Sequence, residues 1–233
     1  MSFTSRKLLQ KSKRRSPTSP IVSGSGGFLF GWGSNTSGQI GDGTSNISPG
    51  KVDDVWLRVS SGSSHTVAIR SDGGLFAWGS NASGQLGDGT IVNKSSPVQI
   101  GTSSWTSVGC GSSHTAAIRS DGGLFTWGRN NYGQVGDGTI VNKSSPIQIG
   151  TSSWTSVGGG SSHTVAIRSN GTLFAWGSNA FGQLGDGTVV NKSSPIQIGT
   201  FSWTSVGCGT SHTVAIRSDG GLFTWGLNNA CEL

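Results

Sequence analysis

SHTVAIRSDGGLFAWGSNASGQLGDGT, residues 64–90, decides the fold. It returns as SHTAAIRSDGGLFTWGRNNYGQVGDGT at 113–139 and as SHTVAIRSNGTLFAWGSNAFGQLGDGT at 162–188. Its first half returns once more as SHTVAIRSDGGLFTWG at 211–226. His65, His114, His163 and His212 are therefore each 49 residues apart, as are Trp78, Trp127, Trp176 and Trp225. A fixed period of this size marks stacked supersecondary units, each too small to bury its apolar face alone. Outward from this stretch the period persists. Trp105, Trp154 and Trp203 recur in SWTSVG, and Trp56 in VWLRVSSG is a diverged copy. The interval from Trp32 to Trp78 is 46, so only the first unit differs in length.

Each unit reads as four short strands. In the second they are SPVQI (96–100), SWTSVGC (104–110), HTAAIRS (114–120) and LFTWG (124–128). Asp121-Gly122-Gly123 between the last two is a tight-hairpin signal, because glycine accepts positive φ at little cost. GRNNYGQVGDGT is too rich in Gly and Asn to extend a strand and suits a connecting loop. Four strands in roughly 45 residues is the arithmetic of a propeller blade. The fold class expected is all-β, a β-propeller of about four four-stranded blades. SHTxAIRS occurs four times but LFxWG five, counting FLFGWG at 28–33, so the chain begins and stops within a repeat. Two arrangements follow: a closed small ring with one redundant strand and a free edge, or an open arc completed by oligomerisation.

Composition agrees and excludes other classes. Glycine supplies 40 of 233 residues without a Gly-X-Y period, which excludes collagen. Charged residues are 11% and tryptophan occurs nine times. No apolar run is long enough to span a membrane as a helix. The net charge of +6 belongs to the first twenty residues alone, where Arg6, Lys7, Lys11, Lys13, Arg14 and Arg15 face no acid. Residues 1–20 are read as a basic N-terminal arm and 21–233 as the repeat domain. The arm has no apolar segment of a secretory signal. Cys110 and Cys208 stand where other units have Ser61 and Gly159; with Cys231 they do not suggest a disulfide framework.

The pattern SHTxAIRSDGGLFxWGxNxxGQLGDGT resembles the repeat of the regulator of chromosome condensation family, over roughly residues 27–229. The resemblance implies a β-propeller. The founding members have about seven blades, and this chain has units for four. The family's best-known activity is nucleotide exchange on a small GTPase, exerted from one propeller face with an inserted loop. Three uninterrupted 49-residue spacings leave no such insertion here.

No enzymatic chemistry is expected. A catalytic centre needs one asymmetric constellation, and every Ser, His or Asp candidate here recurs in equivalent settings. The four histidines are read as structural, each imidazole tying a blade's inner strand to neighbouring backbone. Zinc ligands would cluster at short spacings, and one Asp per GDGT loop (Asp42, Asp88, Asp137, Asp186) is poor provision for calcium. No metal or cofactor is expected.

The function expected is that of a structural or protein-interaction subunit of a larger assembly, such as a virion or tail accessory protein held by its basic arm. Its location would be assembly-associated or cytoplasmic. An exchange factor-like GTPase regulator and a surface glycan-binding module are the alternatives. Partner contacts are assigned to the six arm cations, to a free strand edge, and to Arg129, Tyr132 and Phe181, which break the consensus of otherwise uniform loops. Other protein subunits are the expected partners, with nucleic acid an alternative for the arm alone. The protein is expected to be multi-copy.

Overall fold

The computed structural model describes residues 27–44 and 50–229. These hold fourteen strands and no helix: β1 (Gly27–Gly31), β2 (Gly50–Ser61), β3 (His65–Arg70), β4 (Gly74–Gly79), β5 (Lys94–Cys110), β6 (His114–Arg119) and β7 (Leu124–Gly128). The series continues through β8 (Lys143–Gln148), β9 (Trp154–Gly159), β10 (His163–Arg168), β11 (Thr172–Gly177), β12 (Lys192–Cys208), β13 (His212–Arg217) and β14 (Leu222–Gly226). All pairings are antiparallel, and strands bond their sequence neighbours within two sheets, β1 to β8 and β9 to β14, with no pairing between β8 and β9.

Sequence expectation and structure differ at one recurring corner. SPVQI and SWTSVGC are one long strand, β5, as their counterparts are in β12. Gly101 and Gly199 adopt φ of +63° and +62° there. That left-handed conformation, open to glycine, turns the chain from the outer edge of one blade to the inner strand of the next. Gly150 makes the same turn at φ +63°, and there β8 and β9 separate.

Read through these corners, three blades are complete: β2–β3–β4 with the start of β5, the rest of β5 with β6–β7–β8, and β9–β10–β11 with the start of β12. A fourth, from the rest of β12 with β13 and β14, has no outer strand among the described residues. At the other end, β1 pairs only with β2, so this pair supplies the outer half of a blade with no inner half.

The apolar residues of facing sheets are buried between blades. One cluster joins Val67, Ile69 and Leu75 of the first blade to Trp105, Ala117 and Trp127 of the second. Two others repeat this across the following boundaries. Within each blade the inner tryptophan meets the phenylalanine edge-on, as in Trp105–Phe125 with centroids 5.4 Å apart.

Among the described strands, none of β1–β4 pairs with β12–β14. Of the two arrangements the repeat phase allows, the described strands form an open arc and do not close a small ring. Leu222 shows the consequence: it is 65% exposed, whereas its counterparts Leu75, Leu124 and Leu173 are fully buried.

Candidate interaction site

The repeat histidines do not bind backbone. His65 Nε2 lies 3.0 Å from Thr115 Oγ1, His114 Nε2 2.8 Å from Thr164 Oγ1, and His163 Nε2 3.1 Å from Thr213 Oγ1. Each imidazole thus reaches the threonine of the next blade, a correction to the sequence expectation. The threonine hydroxyl donates its one proton to a loop carbonyl: Thr115 to Gln85, Thr164 to Gln134, Thr213 to Gln183. The hydroxyl must then accept from the imidazole, which fixes the proton on Nε2. The same carbonyls accept the indole N–H of Trp127, Trp176 and Trp225. One blade's histidine and loop therefore grip the next blade's threonine and tryptophan. Thr115→Val keeps the shape but leaves the His65 N–H buried without an acceptor. It should cost about 2 kcal/mol in urea unfolding, and no change in midpoint would refute the network.

The loops after these tryptophans are held rigidly. Asn130 is fully buried. Its amide donates to Asp137 Oδ1 and to the carbonyls of Thr139 and Val141, and its carbonyl accepts from Val135 N–H. Asn81 and Asn179 repeat this arrangement. Asp88, Asp137 and Asp186 also meet Lys94, Lys143 and Lys192, the middle pair at 2.9 Å. Sequence reading missed the asparagines, although their recurrence after each WG was visible.

These rigid loops hold apolar side chains in solvent. Ile91 and Val92 are 66% and 60% exposed, Ile140 and Val141 65% and 62%, Val189 and Val190 67% and 60%. Tyr132 and Phe181 are 43% and 51% exposed in the same loops, and Arg129 is exposed beside Tyr132. The structure places those three predicted residues on the loop rim, Arg129 and Tyr132 in one loop and Phe181 one unit further on. The aliphatic pairs were not foreseen. The predicted arm residues Arg6, Lys7, Lys11, Lys13, Arg14 and Arg15 lie outside the described residues.

Open grooves run between outer strands, one of about 610 Å³ lined by Trp105, Arg119 and Phe125, another of about 440 Å³ lined by Gln148, Trp154 and Arg168. Arg70, Arg119 and Arg217 each meet the hairpin carboxylate two residues on, which holds Asp72, Asp121 and Asp219 down at about 2. In the third unit Asn170 replaces that carboxylate; Arg168 stacks over Phe174, as Arg70, Arg119 and Arg217 stack over Phe76, Phe125 and Phe223, and also over Trp154. Among the described residues no three His, Cys, Asp or Glu converge on a metal-sized site, and Cys110 and Cys208 are free thiols. No helix of the described residues is long and apolar enough to cross a membrane.

Antiparallel blades stacked in sequence order, locked through histidine, threonine and tryptophan, define a β-propeller built of near-identical modules. The RCC1-like domain family matches residues 18–233, and the chain belongs to it. No curated protein matches the sequence. Among solved structures, human WBSCR16 is similar at TM-score 0.75 and 26% identity, over 85% of this chain and 57% of that one. Prp20p of Saccharomyces cerevisiae is similar at TM-score 0.71 and 23% identity, over 87% and 53%. Yeast RCC1 (Prp20) bound to Kap60 gives 0.71 and 21%, over 81% and 49%. The chain spans about half the length of these relatives.

Proposed function

We propose that this chain is a non-enzymatic protein-interaction module that takes its partner on the loop rim. The observation that carries the reading is the exposure of Ile91–Val92, Ile140–Val141 and Val189–Val190, with Tyr132 and Phe181, on loops pinned by buried asparagines. Rigid, exposed apolar groups lose little entropy on binding and gain by leaving water. The family supports a binding rather than a catalytic role. Ile140→Ser, Val141→Ser and Phe181→Ser together should leave the circular dichroism spectrum and unfolding midpoint unchanged. They should abolish recovery of partner proteins in affinity capture from the source cells. Equal recovery by the triple variant and the parent would end this reading.

A second reading is regulation of a small GTPase. It rests on the likeness to Prp20p, whose structure is described together with its binding to Gsp1p and histones. Release of labelled GDP from a purified small GTPase, measured with and without this protein, separates the two readings. Acceleration favours exchange; no acceleration leaves the binding module. Neither the fold nor the relatives point to a virion component or to a glycan ligand.

A further inference from the structure

Every boundary between blades uses the same contacts, and the two ends of the arc carry the unmatched halves of one such boundary. His65, His114 and His163 each find a threonine on the next blade; His212 has no such partner among the described residues. Thr115, Thr164 and Thr213 each meet an imidazole, whereas Thr66 meets the Gln39 carbonyl and no imidazole among the described residues. Ser63 N–H donates to the Ser112 carbonyl, Ser112 to Ser161, and Ser161 to Thr210, where the series stops. The apolar surface stops at the same places. Ile216 is 40% exposed on the fourth blade, and Phe30 of β1 and the adjoining Trp32 are 52% and 69% exposed.

The missing strands also match. Among the described residues the fourth blade has inner strands and no outer one, and β1 with the start of β2 is an outer pair with no inner strands. Because the units are nearly identical, the surface that the fourth blade leaves open is the surface that three earlier blades cover with their successors. A first blade fits it for the reason that the second fits the first.

We infer that two copies of this chain join head to tail, the fourth blade of one seating on the first blade of the other. His212 of one copy would meet Thr66 of its neighbour. β1 of the neighbour would take the place of β14, because β1 arrives already paired to an outer strand and β14 brings none. Trp32 would then occupy the site of Trp225, with its N–H on the Gln183 carbonyl. The contact uses the arc's ends and stands apart from the loop rim.

The test uses the full chain. Sedimentation should give twice the 23.8 kDa of one chain at micromolar concentration. Trp32→Ala removes a side chain that is 69% exposed, so it should leave the fold intact and weaken association at least about tenfold. Ser112 and Ser161 hydroxyls lie 3.1 Å apart across an internal boundary. By analogy, Ser63→Cys with Thr210→Cys should form a disulfide between copies, and in a mixture of ¹⁴N and ¹⁵N protein the linked peptides should carry both labels. Ser112→Cys with Ser161→Cys serves as the within-chain control. A monomeric mass, a Ser63–Thr210 link within one chain only, or no link while the control closes would each overturn the inference, as would unaltered association of the Trp32 variant.

Discussion

Acidification from pH 7 to pH 5 is expected to unfold this protein. Burial holds the His65 and His163 imidazoles down at about 4 and that of His114 at about 3, the last also depressed by its two neighbours. In the unfolded chain the same groups titrate near 6.5. Below 6.5 the unfolded chain takes up protons that the folded chain refuses, so stability falls as pH falls. The loss begins at 6.5 and continues until the folded-state values are reached. Each histidine costs about 1.4 kcal/mol per pH unit, and three together about 4 kcal/mol. By pH 5 the loss is about 6 kcal/mol, comparable with the whole stability of an ordinary domain. The hairpin aspartates do not act in this window. They are held at about 2, so their contribution is present above the unfolded carboxylate value and is lost only below about pH 4. Urea midpoints measured from pH 7.5 to 4.5 should show uptake of three protons on unfolding, and His114→Gln should reduce it to two. A stability flat between pH 7 and 5 would show that the imidazoles are not buried as neutral groups.

The same histidines show how far the sequence could be read. The period of 49 residues was enough to place the strands, the hairpins at Asp72, Asp121 and Asp219, and the propeller class. It was enough to make the histidines structural, because four equivalent copies do not build one reactive centre. It could not name their partner. His and Thr adjoin in the sequence, and their common period says nothing about which histidine faces which threonine; the contact spans 50 residues and exists only once blades are wound about an axis. Asn81, Asn130 and Asn179 were in view as loop residues, yet polarity suggested solvent, while the loop's own carbonyls and carboxylates supply enough partners to bury them completely. The repeat phase allowed ring and arc equally, since closure depends on the curvature of the stack.

Gly111→Ala should abolish folding or cost at least about 4 kcal/mol, and Gly109→Ala should cost clearly more than Gly207→Ala, which should be nearly neutral for the fold. The argument rests on how closely inner strands approach across a boundary. A methyl on Gly109 would lie 2.8 Å from the Val157 carbonyl oxygen and 3.2 Å from the Gly158 Cα. A methyl on Gly111 would lie 2.0 Å from His114 Cε1 and 2.4 Å from the Gly160 carbonyl oxygen. These neighbours are backbone and a buried ring engaged with Thr164, so neither can yield without opening the boundary and its histidine network. Gly207 occupies the same repeat position as Gly109, yet a methyl there meets nothing within 4 Å, because no fifth blade covers it. Thermal unfolding of the three variants at low concentration should therefore separate them sharply, and equal losses at 109 and 207 would refute the open arc. At higher concentration Gly207→Ala acquires a second consequence. A neighbouring copy seated on the fourth blade would bring its own inner strand against that methyl, as Val157 comes against Gly109. The variant should then remain folded and monomeric where the parent associates. A bulky residue harmless to one chain and prohibitive to two is a signature that a merely frayed terminal blade would not produce.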